Sequence, residues 1–134
     1  MTKTATNKDG SRSCHVKYTL TNTLTDSEIA SANTYILGGM GNTSVAASGT
    51  SVQHMLFYAP AGGTIGAITT TGEVRDQRKA TMDGKHLTTN VAYIAPGKRV
   101  TFEFDVTTSP KTTADLTIDQ TPSGKLRNEV DYQY

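Results

Sequence analysis

"RVTFEFDVTT", residues 99–108, alternates without interruption: Val100, Phe102, Phe104 and Val106 fall on one side, Thr101, Glu103 and Asp105 on the other. A period of two places successive side chains on opposite faces of a strand, whereas a helix would scatter these same residues around its axis. The stretch therefore reads as a β-strand with one buried face. Glu103 and Asp105 stand two residues apart and share a face, as paired catalytic carboxylates would. Because that face lies opposite two phenylalanines, the pair belongs to the solvated side of the strand.

The same period recurs on both sides of this strand. In "CHVKYTLT" (14–21), Cys14, Val16, Tyr18 and Leu20 alternate with His15, Lys17, Thr19 and Thr21. "VQHMLFY" (52–58) is dense enough for a central strand, with Leu56 and Tyr58 assigned to the core. "NTYIL" (33–37), "TIGAITT" (64–70) and "HLTTNVAYI" (86–94) are further strands, the last with Leu87, Val91 and Tyr93 at core positions. "ADLTIDQT" (114–121) alternates through Leu116 and Ile118, and "NEVDYQY" (128–134) adds a closing edge strand. Turn signals separate them: Asp9-Gly10, Gly38-Gly39, Pro60 through Gly63, Asp83-Gly84, Pro96-Gly97 and Ser109-Pro110. Only "TDSEIASA" (25–32) favours a helical turn, since Thr25 and Glu28 have capping-box spacing ahead of Ile29.

These signals describe an all-β chain: a single antiparallel, immunoglobulin-like β-sandwich of seven or eight strands with at most one short helical turn. Residues 1–12 form a flexible N-terminal segment, residues 13–134 the sandwich, and the polar stretch from Gly38 to Ser51 an exposed connection. The core is expected from Val16, Tyr18, Leu20, Leu56, Tyr58, Val100, Phe102, Phe104 and Ile118.

Composition narrows the function classes. A net charge of +1 over 134 residues gives no field to attract nucleic acid. The densest basic run, Arg75-Asp76-Gln77-Arg78-Lys79, contains its own acid and reads as a solvated loop. One cysteine, Cys14, rules out an internal disulfide and sits in the apolar phase of its strand. No run reaches the apolar length of a membrane span. The polar opening "MTKTATNKDG" reads as an initiator Met placed before an excised domain, so that any native targeting segment has been left out.

The motifs offer little chemistry. A phosphate-binding loop needs Lys-Ser/Thr and then a helix after its glycines. After Gly62-Gly63 comes Thr64-Ile65-Gly66-Ala67, so "HMLFYAPAGGTIG" (54–66) reads as a sandwich corner. His15, His54 and His86 lack metal-ligand spacing, and "NKDGS" (7–11) is a turn lacking the bidentate glutamate of a calcium loop. No serine stands in a nucleophile elbow. No Trp is present to stack a sugar, and Tyr18 and Tyr93 fall at core positions. A Lys–Asn isopeptide bond would use Lys17, Asn128 and Glu103, but Lys17 lies in the polar phase while such a bond must be buried. Neither a metal nor a cofactor is expected.

The order of the motifs resembles a known family. "CHVKYTLTNT", "NTYILGG", "HMLFYAPAGGTIG", "TTGE", "YIAPGKRVTFEFDVTTSP" and "LTIDQTP" follow one another as in the C-terminal region of actinobacterial envelope proteins of domain-of-unknown-function family 4012. The likeness spans roughly Cys14 to Pro122 and rests on order and spacing more than on any one motif. It implies an extracellular, membrane-anchored protein with this module as its terminal β-sandwich, the anchor lying in an N-terminal portion absent from this sequence. A link to cell-envelope or surface-polysaccharide assembly follows from the same resemblance, and the family supplies no catalytic residues to carry over.

Together these readings lead to a non-catalytic spacer or interaction module, with a cell-envelope glycan or another surface protein as partner, no nucleic acid, and no direct membrane contact. The alternative is a glycan-binding module using loop residues at one end of the sandwich. Its candidates are Tyr35, Gly38 and Gly39 in one connection and Asp83 and His86 in the 72–86 segment.

Overall fold

A computed structural model describes residues 1–38, 46–121 and 130–133. Within them the elements run β1 (Thr2–Thr6), β2 (Arg12–Thr21), α1 (Asp26–Ser31), β3 (Ser51–Tyr58), β4 (Thr64–Ile65), β5 (Thr69–Thr71), β6 (Glu73–Met82), β7 (Lys85–Ile94) and β8 (Arg99–Thr107). All the strand pairs are antiparallel and form two sheets. Sheet A has the order β1-β2-β8-β4, with β5 on the same edge of β8 as β4; sheet B has the order β3-β7-β6. The all-β sandwich expected from the sequence is the observed architecture. In an immunoglobulin domain the fifth strand lies beside the second and the last lies at the edge beside the sixth. Here β8, the last strand among the described residues, takes the place beside β2, and β6 holds the edge beside β7.

Register explains the core. Cys14, Val16, Tyr18 and Leu20 of β2 stand directly opposite Val106, Phe104, Phe102 and Val100 of β8. Apolar cross-strand pairs therefore meet at every second rung, each a stabilising contact in itself. From sheet B, Phe57 enters this layer with its ring centroid 5.0 Å from both Phe102 and Phe104 and 6.0 Å from Tyr18. Opposite these rings the inward side of β7 is small or polar: Thr88, Asn90 and Ala92, followed by Ile94, all buried.

The phase of sheet B differs from the sequence reading. Leu56 and Tyr58, assigned to the core, are each 45% exposed, while Met55 and Phe57 pack inward. Val91 and Tyr93 likewise lie on the outer side of β7, half-buried. Alternation specifies which residues share a face; here two bulky residues occupy each phase of β3, so composition could not choose between them.

Four other expectations are corrected. Residues 2–6, expected within a flexible lead-in, form β1 and pair with β2. Its sequence, Thr-Lys-Thr-Ala-Thr, is exposed on both faces and so shows no apolar alternation. "NTYIL" is a turn rather than a strand: the Asn33 side chain accepts the Ile36 N–H at 3.1 Å, a local bond that competes with any ladder. The 75–79 run is part of β6, where a bulge between Arg75 and Arg78 interrupts the alternation that would have revealed it. Residues 114–121 pack Leu116 and Ile118 against the core without joining a sheet. The expected closing strand lies largely outside the described residues; Gln133 makes one parallel bridge to Thr2.

The corner at Pro60–Gly63 carries the chain from sheet B to sheet A, with the Gly63 N–H donating to the Pro60 carbonyl at 2.9 Å. Gly62 has φ +64, and a Cβ on Gly63 would collide with the Thr107 carbonyl oxygen. Glycine is required here by backbone conformation and close approach. At the opposite end Asn22 ties the connections together, its Nδ2 donating at 2.9 Å to the carbonyls of both Gly49 and Ile94. Helix α1 starts as expected, with Thr25 and Glu28 forming a reciprocal capping box. The Thr25 hydroxyl and N–H hold the Glu28 carboxyl below its ordinary range.

Candidate interaction surface

Four titratable side chains, His15, Lys17, Glu103 and Asp105, pair across the outer face of sheet A. Lys17 Nζ lies 3.0 Å from Glu103, and His15 Nδ1 lies 2.9 Å from Asp105. Thr19 and Thr101 share a hydroxyl hydrogen bond of 3.0 Å on the next rung. These contacts follow directly from register, since His15 faces Asp105, Lys17 faces Glu103 and Thr19 faces Thr101. The Lys17 and Asp105 side chains are largely exposed, so the face is a solvated ladder worth about 0–1 kcal/mol per ion pair. Lys17, the candidate for an isopeptide bond, points to solvent and is already paired with Glu103; Asn128 lies outside the described residues.

The proposed loop site does not assemble. Tyr35, 80% exposed, and Gly38 belong to the β2–β3 connection, which returns beside Gly49 at the Ile94 end of β7. Asp83 and His86 belong to the tight β6–β7 hairpin at the other end, where Asp83 and Gly84 both have positive φ. His86 and Ile94 are separated by the length of β7, about 26 Å at the usual rise per residue. Gly39 lies outside the described residues. The residues chosen for one loop cluster thus sit at two opposite ends.

Two hollows remain. One of about 180 Å³ lies between β4 and the β6–β7 hairpin, lined by Thr64, Ile65, Lys79, His86 and Thr88. The other, about 30 Å³, lies against Cys14 and Leu116, room for about one water. Deeper in sheet B, Gln77 donates to Asn90 Oδ1 at 3.0 Å. Among the described residues the buried Asn90 Nδ2 has no hydrogen-bond partner. No grouping of three or more His, Cys, Asp or Glu among the described residues could hold a metal ion.

The outer face of sheet B has a different character. Register places Val52, Leu56 and Tyr58 of β3 beside Tyr93, Thr89 and Leu87 of β7, and Ala80 of β6 beside Leu87. The Tyr58 hydroxyl reaches the Met82 sulfur at 3.3 Å, from one edge strand to the other. That contact crosses over the central strand and explains why Leu87 is only 2% exposed although it lies on the outer side. Arg75 lies 4.3 Å from the Tyr93 ring centroid and pairs with Glu73, which raises the guanidinium pKa further. Leu56, Tyr58 and Met82 each remain about half exposed on this face, bordered on β6 by Glu73, Arg75 and Arg78. Larger apolar patches of this kind mark sites of association. Sequence reasoning missed this face because it assigned Leu56, Tyr58 and Tyr93 inward.

Comparison with known proteins found no matching family model, no matching curated protein and no matching solved structure.

Proposed function

We propose that the chain is a non-catalytic, extracellular β-sandwich module, a spacer and interaction domain of an actinobacterial surface protein, which docks through the outer face of sheet B. The observation that carries the interaction role is the cluster of half-exposed Leu56, Tyr58 and Met82 on one face of sheet B. The surface setting is supported by the order of motifs from Cys14 to Pro122. The non-catalytic reading is supported by the placement of His15, Lys17, Glu103 and Asp105 on an open strand face, where each pairs with a neighbour in solvent. The partner class is a cell-envelope glycan or a second surface protein, in keeping with a role in envelope or polysaccharide assembly.

The test is a binding screen of the purified chain against envelope polysaccharides and surface proteins, run beside the double variant Leu56→Ser, Tyr58→Ser. Binding that the variant loses supports the proposal. Binding that the variant keeps while substitution of Tyr35 or His86 removes it would favour the glycan-loop alternative. Turnover of an envelope substrate by the wild-type chain would overturn the non-catalytic reading.

A further inference from the structure

The free edges of the two sheets are not treated alike. At one side of sheet A, β1 carries Lys3 and a register irregularity, and the backbone of Lys3 is already engaged by Gln133. At the other side, among the described residues, stand only the short strands β4 and β5, two and three residues long. In sheet B, β6 carries Arg75, Asp76, Arg78 and Lys79 and is bent by its bulge, with Asp76 at φ 53. Charge, bulges and shortness are the devices by which proteins discourage edge-to-edge pairing. Among the described residues the outer edge of β3 pairs with no strand, and β3 itself has none of these devices. Its eight residues, Ser-Val-Gln-His-Met-Leu-Phe-Tyr, include no Lys, Arg, Asp, Glu or Pro, and its register against β7 is unbroken.

We propose that β3 pairs antiparallel with β3 of a second copy of this chain, joining two B sheets into one six-stranded sheet across a two-fold axis at Met55. An antiparallel pair places opposing side chains on the same face, so two outer faces align only when the paired residue numbers sum to an even value. The axis at Met55 satisfies this and keeps Val52 through Tyr58 paired. On the outer face it sets Val52 against Tyr58 and His54 against Leu56 of the second copy. On the inner face it sets Gln53 against Phe57. Aromatic against β-branched is a favourable cross-strand pair, and no rung opposes like charges. An axis one rung pair away, at His54, would set the two His54 rings against each other, which disfavours it. The pairing also makes the outer faces of the two copies continuous along their β3 sides, covering the flanks of Leu56 and Tyr58. This self-association stands on the strand edge and does not depend on the function proposed for the face.

The experiment is sedimentation velocity over a concentration series, with three samples of the full chain. The wild type is expected to shift from monomer to dimer as concentration rises. A variant carrying His54→Lys and Leu56→Lys places lysine against lysine on two rungs and should lose at least about tenfold in self-affinity. Mixed with a variant carrying His54→Glu and Leu56→Glu, it should form a heterodimer, which also shows that both variants are folded. Amide exchange on the wild type needs no substitution, and β3 amides should slow with concentration while those of β6 do not. A wild type that stays monomeric at every concentration overturns the proposal. So do dimerisation unchanged by the lysines, failure of the mixture to recover it, and β3 exchange that is independent of concentration.

Discussion

Sheet A turns Val16, Val100, Phe102 and Phe104 inward and carries Lys17, Glu103 and Asp105 outside, whereas sheet B turns Thr88, Asn90 and Ala92 inward and keeps Leu56, Tyr58 and Tyr93 outside. The difference follows from volume. The Phe57 ring of β3 meets Phe102 and Phe104 of β8 between the layers, its centroid 5.0 Å from each. Interiors pack to near-crystalline density, and beside Phe57 of β3 and the two rings of β8 the inward positions of β7, Thr88, Asn90 and Ala92, are small or polar. Of the bulky residues of sheet B, Met55 and Phe57 fill the core, and Leu56, Tyr58 and Tyr93 are left for the other face. Sheet A closes the core, and sheet B keeps an exterior on which the apolar Leu56, Tyr58 and Met82 stand beside the charges of β6.

The strongest way to break this comparison is to attack the shared core from the sheet A side. Phe102 is fully buried, and Phe102→Ala should cost about 3–5 kcal/mol in a denaturant titration. A change near zero would mean that β8 has the opposite phase. A smaller effect probes the polar interior of sheet B. Gln77→Ala removes the donor to Asn90 Oδ1 and leaves that buried amide without a partner at either atom, which should cost about 1–3 kcal/mol. If the variant is as stable as the parent, the inward face of sheet B is wetter than the structure shows. The smallest effect sharpens the outer face of sheet A. Lys17→Ala and Glu103→Ala should each change stability by less than about 1 kcal/mol, because the pair is exposed and screened. A double-mutant cycle measures their coupling, and a coupling of several kcal/mol would mark the ladder as more than a solvated surface.

How much was legible in the sequence follows the same division. On β2 and β8 one phase was apolar and the other charged, so period and composition agreed and the core residues Val16, Val100, Phe102 and Phe104 were found. The corner at Pro60–Gly63 and the capping box at Thr25 were legible because local chemistry determines both. On β3 the two phases compete, with Met55 and Phe57 against Leu56 and Tyr58, and only packing between layers decides. Strand β6 was hidden because its charges read as a loop and its bulge broke the period. The loop cluster failed for a topological reason: Tyr35 and His86 belong to opposite ends of β7, a fact that strand order carries and residue type does not. The outer face of sheet B could have been found only by assigning β3 its other phase.

The inversion of sheet B is tested most directly by comparing two adjacent truncations, Phe57→Ala and Leu56→Ala, in parallel denaturant unfolding of the monomeric chain at low concentration. Phe57 touches three aromatic rings between the layers, and its truncation should cost about 3 kcal/mol, the low end for an aromatic core residue. Leu56 is 45% exposed on the outer face, and its truncation should cost less than about 1 kcal/mol. The reverse order, with Leu56→Ala the more damaging, would place Leu56 in the core and contradict the assignment of faces on which the interaction surface depends.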